Sequence, residues 1–244
     1  MNILLLAAGF GTRLKEFGKT TPKGLIAQGE KTLLGHVVDD VCDFSQKSPI
    51  ALVTNDIFFE KYSRWVQKNY AEKEIQILND GAREPDKRLG ALGDIVFSLD
   101  TLSWWNDDLL ILPSDTYYQF SLEQFVEFAK KNSGFATVVR DMHDKQIIAG
   151  RLGCAIIKND QIVEFVEKPV EPPSTLAAIP FYYYPKEVLA MFSAYQKEGG
   201  NMDAPGSIIP WFLKKNIPVF AFVTEGKTLD VGTTDDINKL QSIS

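Results

Sequence analysis

The segment NILLLAAGFGTRL, residues 2–14, joins an apolar run to a loop that carries two glycines and an arginine. The apolar run predicts a buried β-strand over Asn2–Ala8 that ends at Gly9. Because glycine has no Cβ, the backbone at Gly9 and Gly11 can approach a ligand closely and present its N–H groups. A loop of this kind at the end of a strand suits anionic phosphate groups.

The rest of the chain alternates short apolar runs with amphipathic stretches, which is typical of strands joined by crossover helices. Strands are predicted at residues 50–54, 75–78, 109–112, 135–139, 153–157, 161–165, 179–184, 219–223 and 228–231. Helices are predicted near residues 34–42, 58–66, 90–101, 122–129, 185–198 and 207–216. We therefore predict the α/β class, with one domain over residues 1–244 and a mainly parallel sheet. Ligands are expected at the carboxyl ends of its strands.

The composition excludes several classes of function. A net charge of −6 over 244 residues argues against a general nucleic-acid binder. Two cysteines, Cys42 and Cys154, are too few for a disulfide framework or a thiolate metal site. The two histidines, His36 and His143, lie in unrelated contexts and predict no histidine chemistry. No apolar run approaches the length of a membrane span, so we expect no membrane association and a cytoplasmic location.

The glycine loop is locally basic in this acidic protein, which indicates a small anionic ligand. Four lysines and arginines and only one glutamate lie between residues 10 and 23. Arg13 offers a fork of donors for a triphosphate, and Lys23 adds a compact positive charge. The dinucleotide fingerprint requires a third glycine where this chain has Leu14, and the Gly-Lys-Ser/Thr ending of a P-loop is absent.

Three further motifs carry charged residues at predicted strand ends. Asp115 follows the strand at residues 109–112, and Asp230 lies in the segment LDVGT at residues 229–233. Two carboxylates together with phosphate oxygens suit Mg²⁺, which seldom has an all-protein cage. The third motif is Glu167-Lys168-Pro169. A turn aspartate or an exposed Glu-Lys pair can also be purely structural.

These motifs resemble those of the sugar-1-phosphate nucleotidylyltransferases, which include glucose-1-phosphate thymidylyl- and uridylyltransferases and mannose-1-phosphate guanylyltransferases. The resemblance rests on LAAGFGTRL at residues 6–14, Pro22-Lys23, the Glu-Lys-Pro motif and Asp-Val-Gly-Thr, and it covers essentially the whole chain. It implies a three-layer, Rossmann-like fold of the nucleotide-diphospho-sugar transferase (GT-A-like) type. It also implies a nucleotide-binding half, about residues 1–140, and a sugar-phosphate-binding half, about residues 141–244. The implied substrates are a nucleoside triphosphate and a sugar 1-phosphate, with Mg²⁺ as cofactor.

The resemblance also implies roles for individual residues. The catalytic cations would be Arg13, Lys23 and Lys168, and the Mg²⁺ ligands would be Asp115 and Asp230. The nucleotide-binding residues would be Leu6, Ala8, Gly9, Gly11, Thr12 and Arg13; apart from the resemblance, we expect Asn79 and Gly90 to contact the base. The sugar-phosphate-binding residues would be Gly153, Glu167 and Lys168. Residues 79–94 depart from the family's base-reading pattern, and Leu152, residues 177–180 and Thr228 depart from the family's usual residues near the sugar. Reaction type is therefore better supported than the identity of the base or the sugar.

Three other functions are compatible with parts of the sequence. A cytidylyltransferase acting on phosphocholine would share the N-terminal motif, and the aromatic run at residues 181–184 leaves room for a quaternary amine. A metal-dependent glycosyltransferase would use Asp115 but would have no need of the basic loop. A non-catalytic nucleotide-sugar-binding regulator would not require all the charged groups. A monomer and a homo-oligomer are equally compatible with the sequence.

Overall fold

A computed structural model describes residues 1–45 and 47–243 of the chain. The strands are β1 (Asn2–Leu6), β2 (Ala27–Gln28), β3 (Lys31–Thr32), β4 (Ile50–Thr54), β5 (Ile75–Asn79), β6 (Leu109–Pro113), β7 (Thr116–Tyr118), β8 (Phe135–Asp141), β9 (Gly153–Lys158), β10 (Gln161–Val166), β11 (Leu176–Tyr184), β12 (Val219–Thr224) and β13 (Thr228–Asp230). The α-helices are α1 (Lys15–Thr20), α2 (Leu33–Phe44), α3 (Phe59–Asn69), α4 (Ala91–Leu102), α5 (Leu122–Asn132), α6 (Lys145–Ile148), α7 (Lys186–Leu189), α8 (Phe192–Lys197), α9 (Ile209–Lys214) and α10 (Thr234–Gln241). Short 3₁₀ turns lie at Thr12–Leu14, Lys23–Leu25, Pro85–Lys87 and Pro205–Ile208.

Among the described residues, nine strands form one mixed sheet in the order β5-β4-β1-β6-β11-β8-β12-β10-β9. The first four strands in that order are parallel to one another. Strand β11 then runs antiparallel to both β6 and β8, and the hairpin of β9 and β10 closes the far side. The predicted alternation of strands and helices is thus confirmed, and parallel pairing is concentrated in the N-terminal part of the chain.

Helices cover both faces of the sheet because successive side chains of a strand point to opposite sides. In β1, Ile3 and Leu5 pack into the hydrophobic cluster that includes helices α2 and α5. Leu4, between them, packs into the opposite cluster, which includes helices α4 and α9. All three side chains are fully buried. This arrangement confirms the predicted three layers.

Several local features differ from the sequence-based expectations. The first strand ends at Leu6 rather than at Ala8, so the last two alanines belong to the loop. The helix expected near residues 185–198 is two short helices, α7 and α8. The pairing of β7 with β13 in a separate small ladder was not predicted. No helix in the described part of the chain is long and apolar enough to cross a membrane.

Candidate active site

The small ladder of β7 and β13 brings together two carboxylates that are far apart in the sequence. Asp115 follows β6, which ends at Pro113, and Asp230 is the last residue of β13. The ladder pairs Asp230 with Thr116, and the backbone N–H of Val231 donates to the carbonyl of Asp115 at 3.1 Å. The two aspartates therefore lie side by side at the carboxyl edge of the sheet, as predicted for ligand-binding groups in this fold class.

The Lys23 ammonium lies against this carboxylate pair. Its Nζ is 2.9 Å from Oδ2 of Asp115, and the side chains are 14% and 24% exposed. The position of Lys23 depends on Gly24, because a Cβ there would lie 3.0 Å from the Tyr62 hydroxyl and from atoms of Ser114. The absence of a side chain at Gly24 thus lets the lysine loop pack onto the end of β6.

The electrostatics of this group favour a cation. Burial, together with the neighbouring Asp115, raises the pKa of Asp230 to about 6, and Lys23 and Arg13 only partly oppose the rise. Burial works to lower the pKa of the Lys23 ammonium, but the attraction of Asp115 and Asp230 outweighs it, so that pKa is raised. Two neighbouring carboxylates in a partly buried site are stabilised by additional positive charge.

The carboxylate pair fits the predicted Mg²⁺ on the chemistry of its donors. Mg²⁺ prefers hard oxygen ligands and is commonly bound by one or two carboxylates and substrate phosphates. Asp115 and Asp230 supply those carboxylates. Within residues 1–45 and 47–243, no cluster of three or more histidine, cysteine, aspartate or glutamate side chains could hold a metal. The remaining ligands would therefore have to come from substrate and water.

The glycine loop after β1 has the open space that a ligand needs. A Cβ added at Gly9 would meet no atom within 4 Å. Gly11 has φ of 63°, in the left-handed region that glycine adopts readily. Arg13, from the following turn, lies against Gly232, where an added Cβ would be 2.9 Å from its Nη2 atom. The loop thus brings the Arg13 guanidinium to the end of the ladder that carries Asp230.

A second charged group lies where β10 ends. Glu167 is largely buried, with a side chain 21% exposed, and Lys168 Nζ is 4.0 Å from its Oε1. Burial raises the pKa of Glu167, and Lys168 opposes the rise. Lys168 has φ of 47°, a left-handed conformation that is uncommon for a residue with a side chain. A Cβ at Gly206 would lie 2.2 Å from Oε2 of Glu167, so this glycine lets the residue 203–206 segment approach it.

One cleft of about 480 Å³ connects the two groups. Eight of the residues predicted for the site line it: Gly9, Arg13, Lys23, Asp115, Gly153, Glu167, Lys168 and Asp230. Among these predicted residues, Arg13 and Lys23 accompany the paired carboxylates Asp115 and Asp230, and Lys168 accompanies Glu167. The size of the cleft suits a small polar ligand.

The other predicted nucleotide-binding residues are not in the lining of this cleft: Leu6, Ala8, Gly11, Thr12, Asn79 and Gly90. The Asn79 amide instead donates to Asp56 at 2.7 Å and accepts from the N–H of Gly81 at 2.9 Å. A Cβ at Gly90 would lie 2.5 Å from the carbonyl oxygen of Met202, so the absence of a side chain at Gly90 lets it pack against the backbone beside Asp203. A contact of either residue with the base stays a prediction.

The cleft also contains side chains that the sequence analysis did not single out, notably Arg88, Arg151 and Asp203, together with Tyr182 of the aromatic run at residues 181–184. Arg151 reaches Asp236, with its Nη2 atom 3.3 Å from Oδ2. The same oxygen accepts from the backbone N–H groups of Gly232 and Thr233, which fixes the loop after Asp230. The only available signal for Arg151 was its position beside Gly153. The signal for Asp203 was that it is the only acidic residue in the glycine- and proline-containing segment at residues 199–206.

Comparison with known proteins gives whole-chain matches. The profile of the nucleotidyl transferase family matches residues 2–243. UTP–glucose-1-phosphate uridylyltransferase of Haloferax volcanii is 24% identical over 97% of this chain and 93% of its own length. Mannose-1-phosphate guanyltransferase of Saccharomyces cerevisiae is 25% identical, with coverage of 97% and 62%. Glucose-1-phosphate adenylyltransferase of Lachnospira eligens is 25% identical, with coverage of 96% and 57%. The chain thus spans less than two thirds of the last two relatives.

The fold is also found in a solved structure. The crystal structure of a candidate glucose-1-phosphate thymidylyltransferase from Bacillus anthracis, in complex with sucrose, matches with a TM-score of 0.81. The match covers 99% of this chain and 94% of that protein, at 22% sequence identity. The α/β fold predicted from the sequence is therefore confirmed.

Proposed function

The chain belongs to the nucleotidyl transferase family, and we propose that it transfers a nucleotidyl group from a nucleoside triphosphate to a sugar 1-phosphate, releasing pyrophosphate. The observation that carries this proposal is one cleft that joins the Lys23, Asp115 and Asp230 group to Glu167 and Lys168. The relatives named above are transferases for glucose 1-phosphate or mannose 1-phosphate, which supports a sugar 1-phosphate as the acceptor.

The reaction brings two anions together, so catalysis consists mainly of charge neutralisation and alignment. Arg13 and Lys23 bind the phosphates that leave as pyrophosphate. Lys168 binds the phosphate of the acceptor and orients an oxygen of that phosphate for in-line attack on the α-phosphorus. Because this oxygen is already ionised near neutral pH, the reaction needs no general base. This is consistent with a cleft whose lining includes no histidine among the described residues.

Asp115 and Asp230 are the residues that would hold Mg²⁺. The ion would neutralise phosphate charge and polarise the α-phosphate toward attack. Before the substrates bind, Lys23 partly balances the charge of the two carboxylates, as its 2.9 Å contact with Asp115 indicates. Arg13 adds a second positive group on the same side of the cleft. In this proposal, the nucleotide half and the acceptor half of the chain meet at Asp115 and Asp230. The proposal also includes a cytoplasmic location.

The alternatives considered from the sequence are not favoured. The relatives that match nearly the whole chain are enzymes named for sugar 1-phosphates, not for phosphocholine. A regulator that only binds a nucleotide sugar would not need all the charged groups of the cleft. These groups are the basic side chains Arg13, Lys23 and Lys168 and the paired carboxylates Asp115 and Asp230. A glycosyltransferase would have no use for Arg13 and Lys23 as a triphosphate clamp.

The test is pyrophosphate release with Mg²⁺, measured for each nucleoside triphosphate against a panel of sugar 1-phosphates and phosphocholine. We expect release only when one triphosphate and one sugar 1-phosphate are present together. Release with phosphocholine alone among the acceptors would replace the sugar proposal while leaving nucleotidyl transfer intact. Nucleotide binding without release, for every acceptor in the panel, would favour the regulator.

A further inference from the structure

Asp203 is held in the cleft by its backbone on both sides. Its N–H donates to the side-chain oxygen of Asn201 at 2.9 Å. Its carbonyl accepts from the N–H of Ala91, the first residue of α4, also at 2.9 Å, and the carbonyl of Met202 accepts from Leu92 at 3.0 Å. These hydrogen bonds from the first two residues of α4 therefore fix the backbone position of Asp203.

The side chain of Asp203 has one oxygen engaged and one oxygen available. Arg88 Nε donates to Oδ1 at 2.8 Å, and Nη1 of the same guanidinium donates to the carbonyl of Pro85 at 3.0 Å. No hydrogen bond to Oδ2 is formed by any residue that the structure describes. The carboxylate is half exposed and lines the cleft. The hydrogen bond from Arg88 holds the pKa of Asp203 below its ordinary value, so the group stays an acceptor.

Charge balance at this end of the cleft discriminates between classes of acceptor. Glu167 is accompanied by Lys168, and Asp203 by Arg88. A quaternary amine would find no net negative charge, because each carboxylate has its own cation. An acidic sugar would find no net positive charge, because each cation is paired with a carboxylate. Neutral hydroxyl groups, in contrast, can donate to a carboxylate oxygen without disturbing either ion pair.

We propose that Asp203 is an acceptor-specificity residue that binds a hydroxyl group of a neutral sugar, and that Arg88 is its positioning residue. Glu167 lies on the same wall, since Gly206 is against its carboxylate and only three residues from Asp203. This inference rests on the proposed function and narrows its acceptor to neutral sugar 1-phosphates. It also assigns Arg88 a role that depends on its partner, because the Nε donor of Arg88 becomes available to an anion only when Asp203 is absent.

The test is a change of acceptor preference in the Asp203→Ala variant. Losing a charge-assisted hydrogen bond should lower kcat/KM for the neutral sugar 1-phosphate by about 10- to 100-fold. The freed Arg88 should at the same time raise the relative kcat/KM for the matching uronic acid 1-phosphate by about tenfold or more. The double variant Arg88→Met with Asp203→Ala should lose the neutral acceptor without gaining the acidic one.

Controls separate this inference from the proposed function. Glu198→Ala removes another 2.8 Å ion pair, with Lys215, outside the cleft lining, and should leave the preference unchanged. Wild-type protein that is inactive with every acceptor would overturn the proposed function and this inference with it. Active wild-type protein whose Asp203→Ala variant keeps the same ratio between neutral and acidic acceptors would overturn only the inference. If that variant melts early, Asp203→Asn keeps an oxygen for Arg88 and should shift the ratio in the same direction; an unchanged ratio there is equally decisive.

Discussion

Replacing Gly90 with alanine should weaken both the fold and the acceptor end of the cleft. Gly90 precedes α4 with φ of 81° and ψ of 163°, a conformation that is essentially restricted to glycine. An added Cβ would lie 2.5 Å from the carbonyl oxygen of Met202 and 2.6 Å from Cα of Asp203. Both contacts are with backbone atoms, so a side-chain rotation cannot relieve them.

The expected magnitude follows from two separate costs. The backbone conformation costs about 1–3 kcal/mol for a residue with a side chain. Forcing a methyl group into a packed contact adds about 1–3 kcal/mol. The free energy of unfolding should therefore fall by about 2–6 kcal/mol, a large share of the roughly 5–15 kcal/mol typical of a folded protein. If the segment at Met202–Asp203 moves away instead, the hydrogen bonds it accepts from α4 are lost, at about 1 kcal/mol each.

The assay is urea denaturation of Gly90→Ala beside a matched control, Gly81→Ala. Gly81 has φ of 79°, but a Cβ there would meet nothing within 4 Å. The control should therefore lose only the strain, about 1–3 kcal/mol. Gly90→Ala should in addition raise KM for the acceptor, since the displaced segment carries Asp203. Equal losses of stability in the two variants, with the acceptor KM unchanged, would refute the close-approach argument.

Three further predictions concern charge. Lys23→Met should lower kcat by about 10²–10³-fold and leave the fold intact, because it removes a cation that stabilises the leaving phosphates. Steady-state kinetics measures the loss of kcat, and circular dichroism checks the fold. Burial, with the neighbouring Asp80, raises the pKa of Asp94 to about 8, above its ordinary value of 3.8. The fold thus favours protonated Asp94, so the free energy of unfolding should fall as the pH rises from about 4 to about 8, by at most about 1.4 kcal/mol per pH unit. Urea titrations should show a flatter pH dependence for the Asp94→Asn variant. EDTA should abolish turnover but leave the melting temperature of the substrate-free protein unchanged. The reason is that Lys23 already balances part of the charge on Asp115 and Asp230. A drop of several degrees in the melting temperature would contradict this prediction.

The central strands and the phosphate-facing loop could be predicted because their signals are local. Strands β1, β4 and β6 are largely apolar runs, and Gly9, Arg13 and Lys23 lie within one short segment. Helices α1 and α6, with six and four residues, are too short to show a helical period. Periodicity therefore identified the main strands and helices but not the short connecting elements.

The geometry of the site was less accessible because it depends on pairings between distant segments. The three-residue strands β7 and β13 have no pattern that predicts their ladder, yet this ladder puts Asp115 beside Asp230. Asp203 and Arg88 are 115 positions apart, and neither belongs to a motif that the sequence analysis recognised. Such residues become candidates only when the chain is folded and their shared cleft can be seen.

The most direct measurement of nucleotidyl transfer is the fate of labelled phosphorus. The protein is incubated with Mg²⁺, the active sugar 1-phosphate and its triphosphate, labelled with ³²P at either the α or the γ position. We predict that the α label enters the nucleotide sugar and that the γ label leaves in pyrophosphate. A γ label found on the sugar, or an α label that remains in free nucleotide while the sugar is consumed, would contradict nucleotidyl transfer.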